Sequence, residues 1–235
     1  PVVLLSHGYS ATSQMWRGQI AALSKDHTLV TWDMRGHGGS DSPDDPARYS
    51  AEATIDDMAA LLDAVGAERA VIGGLSLGGY MSLMFHAKYP QRVRALLILD
   101  TGPGFRKDEA RNGWNQQAAR TAERFEEEGM AKVNALKETS TGGTHRSAIG
   151  LALAARGMLA QRDATVIESL PGIRVPSLIV VGADDTPFLQ SAEVMAAKIA
   201  GASKVVIPAA GHTANIDQPQ AFNDAVLGFL KTLPA

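Results

Sequence analysis

The chain has 235 residues, of which 45% are hydrophobic and 20% are charged, and it contains no cysteine. A chain of this length can bury roughly 70% of its unfolded surface, enough for one large domain or one domain with an insertion. The lack of cysteine excludes thiol catalysis, disulfides and thiolate metal sites, and a net charge of −3 argues against nucleic-acid binding.

No apolar run approaches the roughly 20 residues that a helix needs to cross a membrane, so no membrane span is predicted. We expect a cytoplasmic protein that is a monomer or a homodimer. The sequence begins with Pro1 rather than methionine and enters an apolar strand at once, so secretion through a preceding signal peptide stays open.

Short apolar runs alternate with helical patterns over the first hundred residues, which is typical of βαβ units around a parallel sheet. The runs are continuous rather than alternating, which predicts strands buried on both faces. In one intervening helix, Ser50 is the predicted N-cap and Gly66 the C-terminal stop. The predicted strands cover residues 2–6, 29–33, 70–73 and 95–99.

The pattern changes after residue 100, because residues 102–172 contain no convincing strand and many helix formers. We predict an α/β core domain formed by residues 1–101 and 173–235, with a mostly parallel, doubly wound sheet, and a helical cap, or lid, at 102–172. The later elements of the core are strands at 177–181 and 205–207, a helix around 192–199 and a final helix from Pro219.

The most informative stretch is Gly74-Leu75-Ser76-Leu77-Gly78, a Gly-x-Ser-x-Gly pattern between a predicted strand and a predicted helix. A serine on so tight a turn has strained backbone dihedrals and close neighbours, so the glycines supply the room. The turn presents the hydroxyl at the carboxyl edge of the sheet, over the positive N-terminus of the next helix. Ser76 is therefore the predicted nucleophile, and it needs a base.

Six histidines compete for the role of that base. His212 follows Gly211 in the loop after the last strand, which opens at the same sheet edge as Ser76, so we predict that His212 is the base. The other five are His7, His27, His37, His86 and His145. His27 lies just before a strand and His86 within a helix, so surface or packing roles are expected for both, and nothing places His145, in the insertion, near Ser76.

A carboxylate must orient the base and stabilise the imidazolium that forms during the reaction. The strand at 177–181 is followed by Asp184 and Asp185, and Asp100 ends the preceding strand. Position alone leaves these three acids open. The order serine, acid, histidine is the order that this sheet topology imposes.

Five motifs follow one another in the chain: His7-Gly8, Asp33-Met34-Arg35-Gly36-His37-Gly38-Gly39-Ser40, Gly74-Leu75-Ser76-Leu77-Gly78-Gly79, Gly182-Ala183-Asp184-Asp185 and Gly211-His212. Together they resemble the α/β-hydrolase fold family, and the chain is similar to its small bacterial esterase and enol-lactonase branch over nearly its whole length. In that family the acid is the last residue of Gly-x-x-Asp. The resemblance therefore implies Asp185, with Asp184 second and Asp100 third.

The resemblance also implies an oxyanion hole, in which the backbone N–H groups of Tyr9 and Leu77 bind the negative charge that develops on the substrate carbonyl oxygen. It implies a structural rather than a catalytic role for the side chains of His7, Asp33, Arg35 and His37.

Two departures from the family pattern bear on this interpretation. The family usually has two more strands before the His-Gly strand; without them, either the chain is shortened or the sheet edge is bare and open to pairing with another chain. Residues 9–13 replace the Gly-Pro-Gly run and asparagine of the carbon–carbon hydrolase branch. Ser76 replaces the nucleophilic aspartate of dehalogenases and epoxide hydrolases, so these branches are disfavoured.

We predict a serine hydrolase that cleaves carboxylic esters of small to medium, uncharged or weakly charged substrates through an acyl-enzyme, with no cofactor and no metal. The alternatives are an enol-lactone hydrolase or a perhydrolase of the same fold and, in a different class, a small-molecule receptor or non-catalytic scaffold. The lid is expected to set substrate size, and Phe105 and Leu159 are among its large apolar residues. Substrate contacts are predicted for Tyr9, Trp114, Met158 and Phe188.

Overall fold

A computed structural model describes residues 1–136 and 143–234 of the chain. Its centre is a six-stranded sheet in the order β2-β1-β3-β4-β5-β6, in which every neighbouring pair is parallel. The strands are β1 (Val2–Ser6), β2 (Thr28–Trp32), β3 (Ala70–Leu75), β4 (Val93–Leu99), β5 (Ser177–Gly182) and β6 (Ser203–Ile207).

Helices connect successive strands, as parallel pairing requires. They are α1 (Arg17–Leu23), α2 (Ala51–Ala64), α3 (Leu77–Lys88), α4 (Asp108–Leu136), α5 (Ala148–Ala154), α6 (Thr165–Ser169), α7 (Thr186–Lys198), α8 (Ala214–Asp217) and α9 (Pro219–Lys231). Helix α4 is broken at Gly129, whose φ is 57°. Helix α5 continues directly into one π-helical turn, Ala155–Leu159.

The predicted α/β fold with a parallel sheet is confirmed, and one detail of the strand prediction is wrong. Residues 29–33 were expected to be buried on both faces, but β2 forms an edge of the sheet and its residues after Thr28 are only half-buried. A continuous apolar run shows that a strand packs against helices, yet it does not show whether a neighbouring strand covers both of its edges. The central strands β3 and β5 are fully buried.

Alternate side chains of the strands enter two hydrophobic cores on opposite faces of the sheet. Leu4 of β1 packs with α2, α3 and α7 on one face, whereas its neighbours Val3 and Leu5 pack with α1 and α9 on the other. This alternation follows from the two-residue period of a strand. The sheet is therefore doubly wound, and its carboxyl edge is left open between the two helical layers.

Local signals fix the ends of several helices. The Ser50 hydroxyl accepts a hydrogen bond of 3.0 Å from the Ala53 N–H at the start of α2, and Gly66 takes a φ of 68° just beyond its end. Helix α7 begins at Thr186, earlier than the predicted start near 192. Pro187 lies in its first turn, where the missing N–H costs nothing.

Between β4 and β5 the described residues form helices and no strand. Phe125 of α4 and Leu151 of α5 pack in a small core of their own, against which Tyr9 of the loop after β1 also packs. Residues 137–142 of the predicted cap lie outside the described residues, and the division into a core and a cap domain stays a prediction. No helix within the described ranges is long and apolar enough to cross a membrane.

Candidate active site

Ser76 lies on the turn that joins β3 to α3. Its backbone has φ 54° and ψ −115°, a conformation that residues with a side chain rarely adopt. The surrounding contacts hold it there, because the Ser76 N–H donates to the Leu99 carbonyl at 3.0 Å and the Ser76 carbonyl accepts from the Tyr80 N–H at 3.0 Å. Strain maintained in this way is a frequent property of functional sites.

Two glycines allow this turn to approach β1 closely. A Cβ atom on Gly74 would lie 2.6 Å from the Gly78 carbonyl oxygen and 2.7 Å from that of Ser6. On Gly78 it would lie 2.7 Å from the His7 carbonyl oxygen. These neighbours are backbone atoms that cannot move aside, so both glycine positions of the Gly-x-Ser-x-Gly pattern are sterically required.

The N-terminus of α3 points its free N–H groups towards the region of Ser76. The first hydrogen bond of this helix runs from Tyr80 to Ser76, so the N–H of Leu77 precedes the helical ladder. Gly8, after β1, approaches Ser76 so closely that a Cβ on it would lie 3.4 Å from the Ser76 Cβ. Tyr9 follows Gly8 directly. The assignment of the Tyr9 and Leu77 N–H groups to an oxyanion hole stays a prediction.

Asp185 and His212 are joined by a hydrogen bond. The distance between His212 Nδ1 and Asp185 Oδ2 is 2.9 Å, and the aspartate side chain is 4% exposed whereas the imidazole is 41% exposed. Asp185 follows β5 at the start of α7, and His212 lies in the loop after β6. With Nδ1 donating to the carboxylate, Nε2 is left unprotonated as an acceptor.

The aspartate overcomes the effect of burial on the imidazole. Burial alone disfavours the charged form of His212, but the hydrogen bond and charge of Asp185, together with the charge of Asp100, raise its pKa above the ordinary value. Of the three acids that the sequence left open, Asp185 is the one in hydrogen-bond contact with His212. Asp184 is exposed and directs its N–H to the Ala210 carbonyl.

Asp100 connects the two loops that carry this pair. Its side chain is fully buried, and its oxygens accept from the Gly182 N–H at 2.8 Å and the Ala214 N–H at 3.3 Å. The pKa of Asp100 is raised to about 7, because burial and the charge of Asp185 outweigh the lowering by the two N–H donors and by His212. Asp100 therefore holds the end of β5 against the loop that contains His212.

A cavity of about 210 Å³ opens at Ser76. Phe188 lines it, and the Phe188 ring also stacks on the His212 imidazole with ring centroids 4.8 Å apart. None of the described residues that line it carries a formal charge. The lining consists of Ser76, Leu77, Tyr80, Thr101, Gly102, Gly104, Phe105, Trp114, Leu159, Gln161, Pro187, Phe188 and Ser191.

Two of the four predicted substrate contacts do not line this cavity, whereas Trp114 and Phe188 do. Met158 is 1% exposed and packs in the core beside α2 and α3, and its neighbour Leu159 lines the cavity instead. Both residues lie in the π-helical turn. The Tyr9 hydroxyl donates to the Leu151 carbonyl at 2.8 Å, so its side chain ties the loop after β1 to α5.

Sequence reasoning missed several residues of the site. The Thr101 hydroxyl donates to the Ser76 carbonyl at 2.6 Å, and the rule that strand ends meet at one edge could have identified it, since it follows Asp100. Ser191 lies almost one helical turn beyond Phe188 in α7, which the helical period also suggests. Gln161 had no such signal, because the insertion has no strand end to place it.

Three other histidines form a buried cluster that ties the insertion to the core. The ring of His37 lies 4.9 Å from that of His7 and 5.8 Å from that of His145. The Met34 N–H donates to His7 Nε2 at 2.9 Å and the Gly38 N–H donates to His145 Nδ1 at 3.0 Å, which requires both rings to be neutral. Burial lowers the pKa of His7 to about 4 and also lowers those of His37 and His145.

Within residues 1–136 and 143–234, no group of three or more histidine, aspartate or glutamate side chains is arranged to hold a metal ion.

The profile of the α/β hydrolase fold family matches residues 1–147, more than half of the sequence. The chain belongs to the α/β-hydrolase fold family, as the sequence motifs predicted. This confirms the expected fold and groups the protein with hydrolases.

Relatives locate the chain within that family. The 3-oxoadipate enol-lactonase 1 of Acinetobacter baylyi is 29% identical and aligns over 99% of this chain and 90% of its own length. A hydrolase structure from Pseudomonas aeruginosa is 30% identical, with a TM-score of 0.79 over 98% of this chain and 89% of that one. A thermophilic esterase structure from Thermogutta terrifontis is 29% identical, with a TM-score of 0.86 over 100% of this chain and 90% of that one. Within the family, the chain is thus similar to bacterial esterases and enol-lactonases.

Proposed function

We propose that this protein hydrolyses carboxylic esters through a covalent acyl-enzyme on Ser76, with His212 as the base and Asp185 as its partner. The observation that carries the proposal is the continuity of the contacts. Asp185 is hydrogen-bonded to His212, His212 stacks on Phe188, and Phe188 lines the cavity that opens at Ser76. The esterase and enol-lactonase relatives support the same chemistry.

In the first half of the reaction, Nε2 of His212 takes the proton of the Ser76 hydroxyl as the oxygen bonds to the ester carbonyl carbon. The carbonyl electron pair moves to its oxygen, which accepts hydrogen bonds from the N–H groups of Leu77 and Tyr9. When the tetrahedral intermediate collapses, the bond to the alcohol oxygen breaks. The imidazolium, stabilised by Asp185, gives its proton to that alcohol.

In the second half, His212 takes a proton from water, and the resulting hydroxide attacks the acyl carbonyl. Collapse of the second intermediate breaks the bond to the Ser76 oxygen, which regains its proton from the imidazolium. The carboxylic acid leaves and the enzyme is restored. A lactone is a cyclic ester and undergoes the same two steps, and the enol-lactonase relative makes lactone hydrolysis the second candidate function.

The segment between β4 and β5 acts, in this proposal, as the lid that sets substrate size. It contributes Phe105, Trp114 and Leu159 to the lining over Ser76. Because the lining that the structure describes has no charged side chain and the cavity volume is about 210 Å³, esters of short or medium acyl chain without formal charge fit best. Rates should therefore fall for long acyl chains.

The test is a panel of 4-nitrophenyl esters of two to sixteen acyl carbons and several lactones, assayed with wild type, Ser76→Ala and Ser24→Ala. Ser24 is an exposed serine at the end of α1 and is the matched control. Turnover should disappear in Ser76→Ala and persist in Ser24→Ala. An organophosphonate should add covalently to Ser76 of wild type. Equal turnover by Ser76→Ala, or an adduct on another residue, would refute the proposal.

Slow or absent turnover of every ester and lactone, with tight binding of one of them, would instead favour the small-molecule receptor. Replacement of water by peroxide in the second half of the reaction would give a peroxyacid, so the same panel assayed with peroxide tests the perhydrolase alternative.

A further inference from the structure

The Gln161 side chain lies at the cavity, and its carboxamide oxygen has no hydrogen-bond partner among the described residues. Gln161 lines the cavity and is only 8% exposed, and its Oε1 atom is buried without a hydrogen-bond partner among the described residues. The hydrogen bonds that Gln161 does form, both to Asn115, use its backbone N–H and carbonyl. Gln161 Oε1 therefore has an unused capacity to accept a hydrogen bond.

The position of Gln161 is fixed by α4. Asn115 Nδ2 donates to the Gln161 carbonyl at 2.7 Å, and Asn115 Oδ1 accepts from the Gln161 N–H at 2.7 Å. The preceding residue, Trp114, donates from Nε1 to the Leu159 carbonyl at 2.8 Å. Three hydrogen bonds with two adjacent side chains thus hold the last residue of the π-helical turn and the backbone just after it, and such turns are frequent at functional sites.

An unpaired buried amide is unfavourable, and each one in a native structure requires an explanation. Oε1 packs so close to Gly104 that a Cβ there would lie 2.7 Å from it, and Gly104 has a φ of 82°. Rotation about the Cγ–Cδ bond, which is a soft torsion, can present either the oxygen or the nitrogen to the cavity. Apart from the indole N–H of Trp114, which donates to the Leu159 carbonyl, the other polar side chains of the described lining are neutral hydroxyls, those of Ser76, Tyr80, Thr101 and Ser191.

We infer that Gln161 selects ligands that carry a neutral hydrogen-bonding group, a hydroxyl or a carboxamide, on the part of the molecule that contacts the insertion. A hydroxyl donates to Oε1 and removes the cost of the buried unpaired acceptor, whereas a hydrocarbon leaves that cost in place. A carboxylate is disfavoured, because none of the described lining residues is a lysine, arginine or histidine that could pair with it. The inference rests on the proposed function only in that the ligand is taken to be an ester held at Ser76.

The test measures binding in the Ser76→Ala background, so that it does not depend on turnover. Methyl hexanoate and methyl 6-hydroxyhexanoate are titrated while tryptophan fluorescence is followed, since Trp114 lines the cavity. The same titrations are made with Ser76→Ala/Gln161→Met, which keeps the side-chain length, and with Ser76→Ala/Leu159→Met, which changes a neighbouring lining residue and keeps the amide. All three proteins are first compared by circular dichroism and urea unfolding.

The preference for the hydroxy ester, measured as the ratio of the two Kd values, should fall by about tenfold in the Gln161→Met protein and stay unchanged in the Leu159→Met protein. Equal ratios in all three proteins, or failure of Ser76→Ala to bind either ester, overturn the inference. A Gln161→Met protein that has lost its fold is replaced by Gln161→Leu.

Turnover of the 4-nitrophenyl esters of hexanoic and 6-hydroxyhexanoic acid by wild type separates the two proposals. If binding of the hydroxy ester is preferred through Gln161 but neither ester is turned over, the hydrolase proposal is refuted and the proposed class of ligand stands. Turnover of both esters at equal kcat/KM, with equal Kd ratios in all three proteins, supports the hydrolase proposal and refutes the ligand preference. If both proposals hold, kcat/KM for the hydroxy ester falls relative to that for hexanoate in Gln161→Met.

Discussion

His212 Nδ1 lies 2.9 Å from Asp185 Oδ2, although the two residues are 27 positions apart and follow different strands. The bond leaves Nε2 as the acceptor nitrogen, and the same imidazole stacks on Phe188 at the wall of the cavity. The aspartate is buried while the imidazole is partly exposed, and the hydrogen bond and charge of Asp185 raise the pKa of His212.

The first prediction concerns the pH dependence of turnover. The base acts in its neutral form, and Asp185 raises the pKa of His212 against the effect of burial, so kcat/KM should rise with pH through a midpoint above 6.5. In Asp185→Asn the midpoint should move to lower pH and kcat should fall by about 10⁴-fold, the size measured for this change in a serine protease.

The exposed neighbour Asp184 provides the matched control. Asp184→Asn should keep the wild-type rate and pH profile. If Asp184→Asn loses activity and Asp185→Asn does not, the assignment of the acid is wrong.

The second prediction concerns the glycine of the nucleophile turn. Gly78→Ala would bring a Cβ to 2.7 Å from the His7 carbonyl oxygen, so the free energy of unfolding should fall by about 2 kcal/mol or more. Gly228→Ala, within α9 and with no atom within 4 Å of the added Cβ, should instead gain up to about 1 kcal/mol. Urea unfolding at neutral pH measures both, and equal effects would contradict the steric explanation.

The third prediction concerns Asp100. Its pKa is about 7 in the folded protein and 3.8 ordinarily, so the folded state binds the proton more strongly and this group lowers stability as pH rises from about 4 to 7. Asp100→Asn removes this contribution. Between pH 4 and 7 the free energy of unfolding of the variant should therefore rise more steeply with pH than that of wild type. The variant should also be less stable overall, because an amide replaces one of two acceptors of buried N–H groups.

Denaturant titrations of wild type and Asp100→Asn at pH 4.5 and pH 7 measure the difference in slope. In the pH profile of turnover, the midpoint for Asp100→Asn should move to lower pH, because the charge of Asp100 contributes to the raised pKa of His212. Identical slopes for the two proteins would show that Asp100 has the same proton affinity folded and unfolded.

The fourth prediction concerns the buried histidine cluster. His7, His37 and His145 have pKa values lowered by burial, that of His7 to about 4 from an ordinary 6.5. The unfolded chain therefore binds these protons more strongly, and stability should fall as pH decreases from 6.5 towards 4. His145→Asn keeps an acceptor for the Gly38 N–H but does not titrate, so the fall should be shallower. Urea midpoints at pH 7.5 and 5.0 compare the two proteins.

Much of the fold was predictable because local patterns have local causes. The strands were visible as apolar runs, Ser50 and Gly66 marked the ends of α2, and the Gly-x-Ser-x-Gly turn is required by contacts of its own backbone. The placement of β2 at an edge was not predictable, since edge and centre depend on pairing with other strands.

Some residues of the candidate site were likewise predictable from the sequence and others were not. Ser76, Asp185 and His212 could be proposed from the sequence, because parallel strands bring their following loops to one edge. The choice between Asp184 and Asp185 needed the family resemblance, since adjacent residues share the same strand end. In the insertion no such rule applies, and helical periodicity did not distinguish the buried Met158 from Leu159 at the cavity.

The sequence by itself determined the order of strands and helices, the tight turn at Ser76 and the identity of the groups that follow each strand, because these depend on residues near one another in the chain. Only the tertiary structure decided that Asp185 is the acid bonded to His212, that Asp100 braces the two loops, and that Gln161 is held at the cavity by Asn115. Those relationships join residues far apart in sequence, and their geometry depends on how complete elements pack against the sheet.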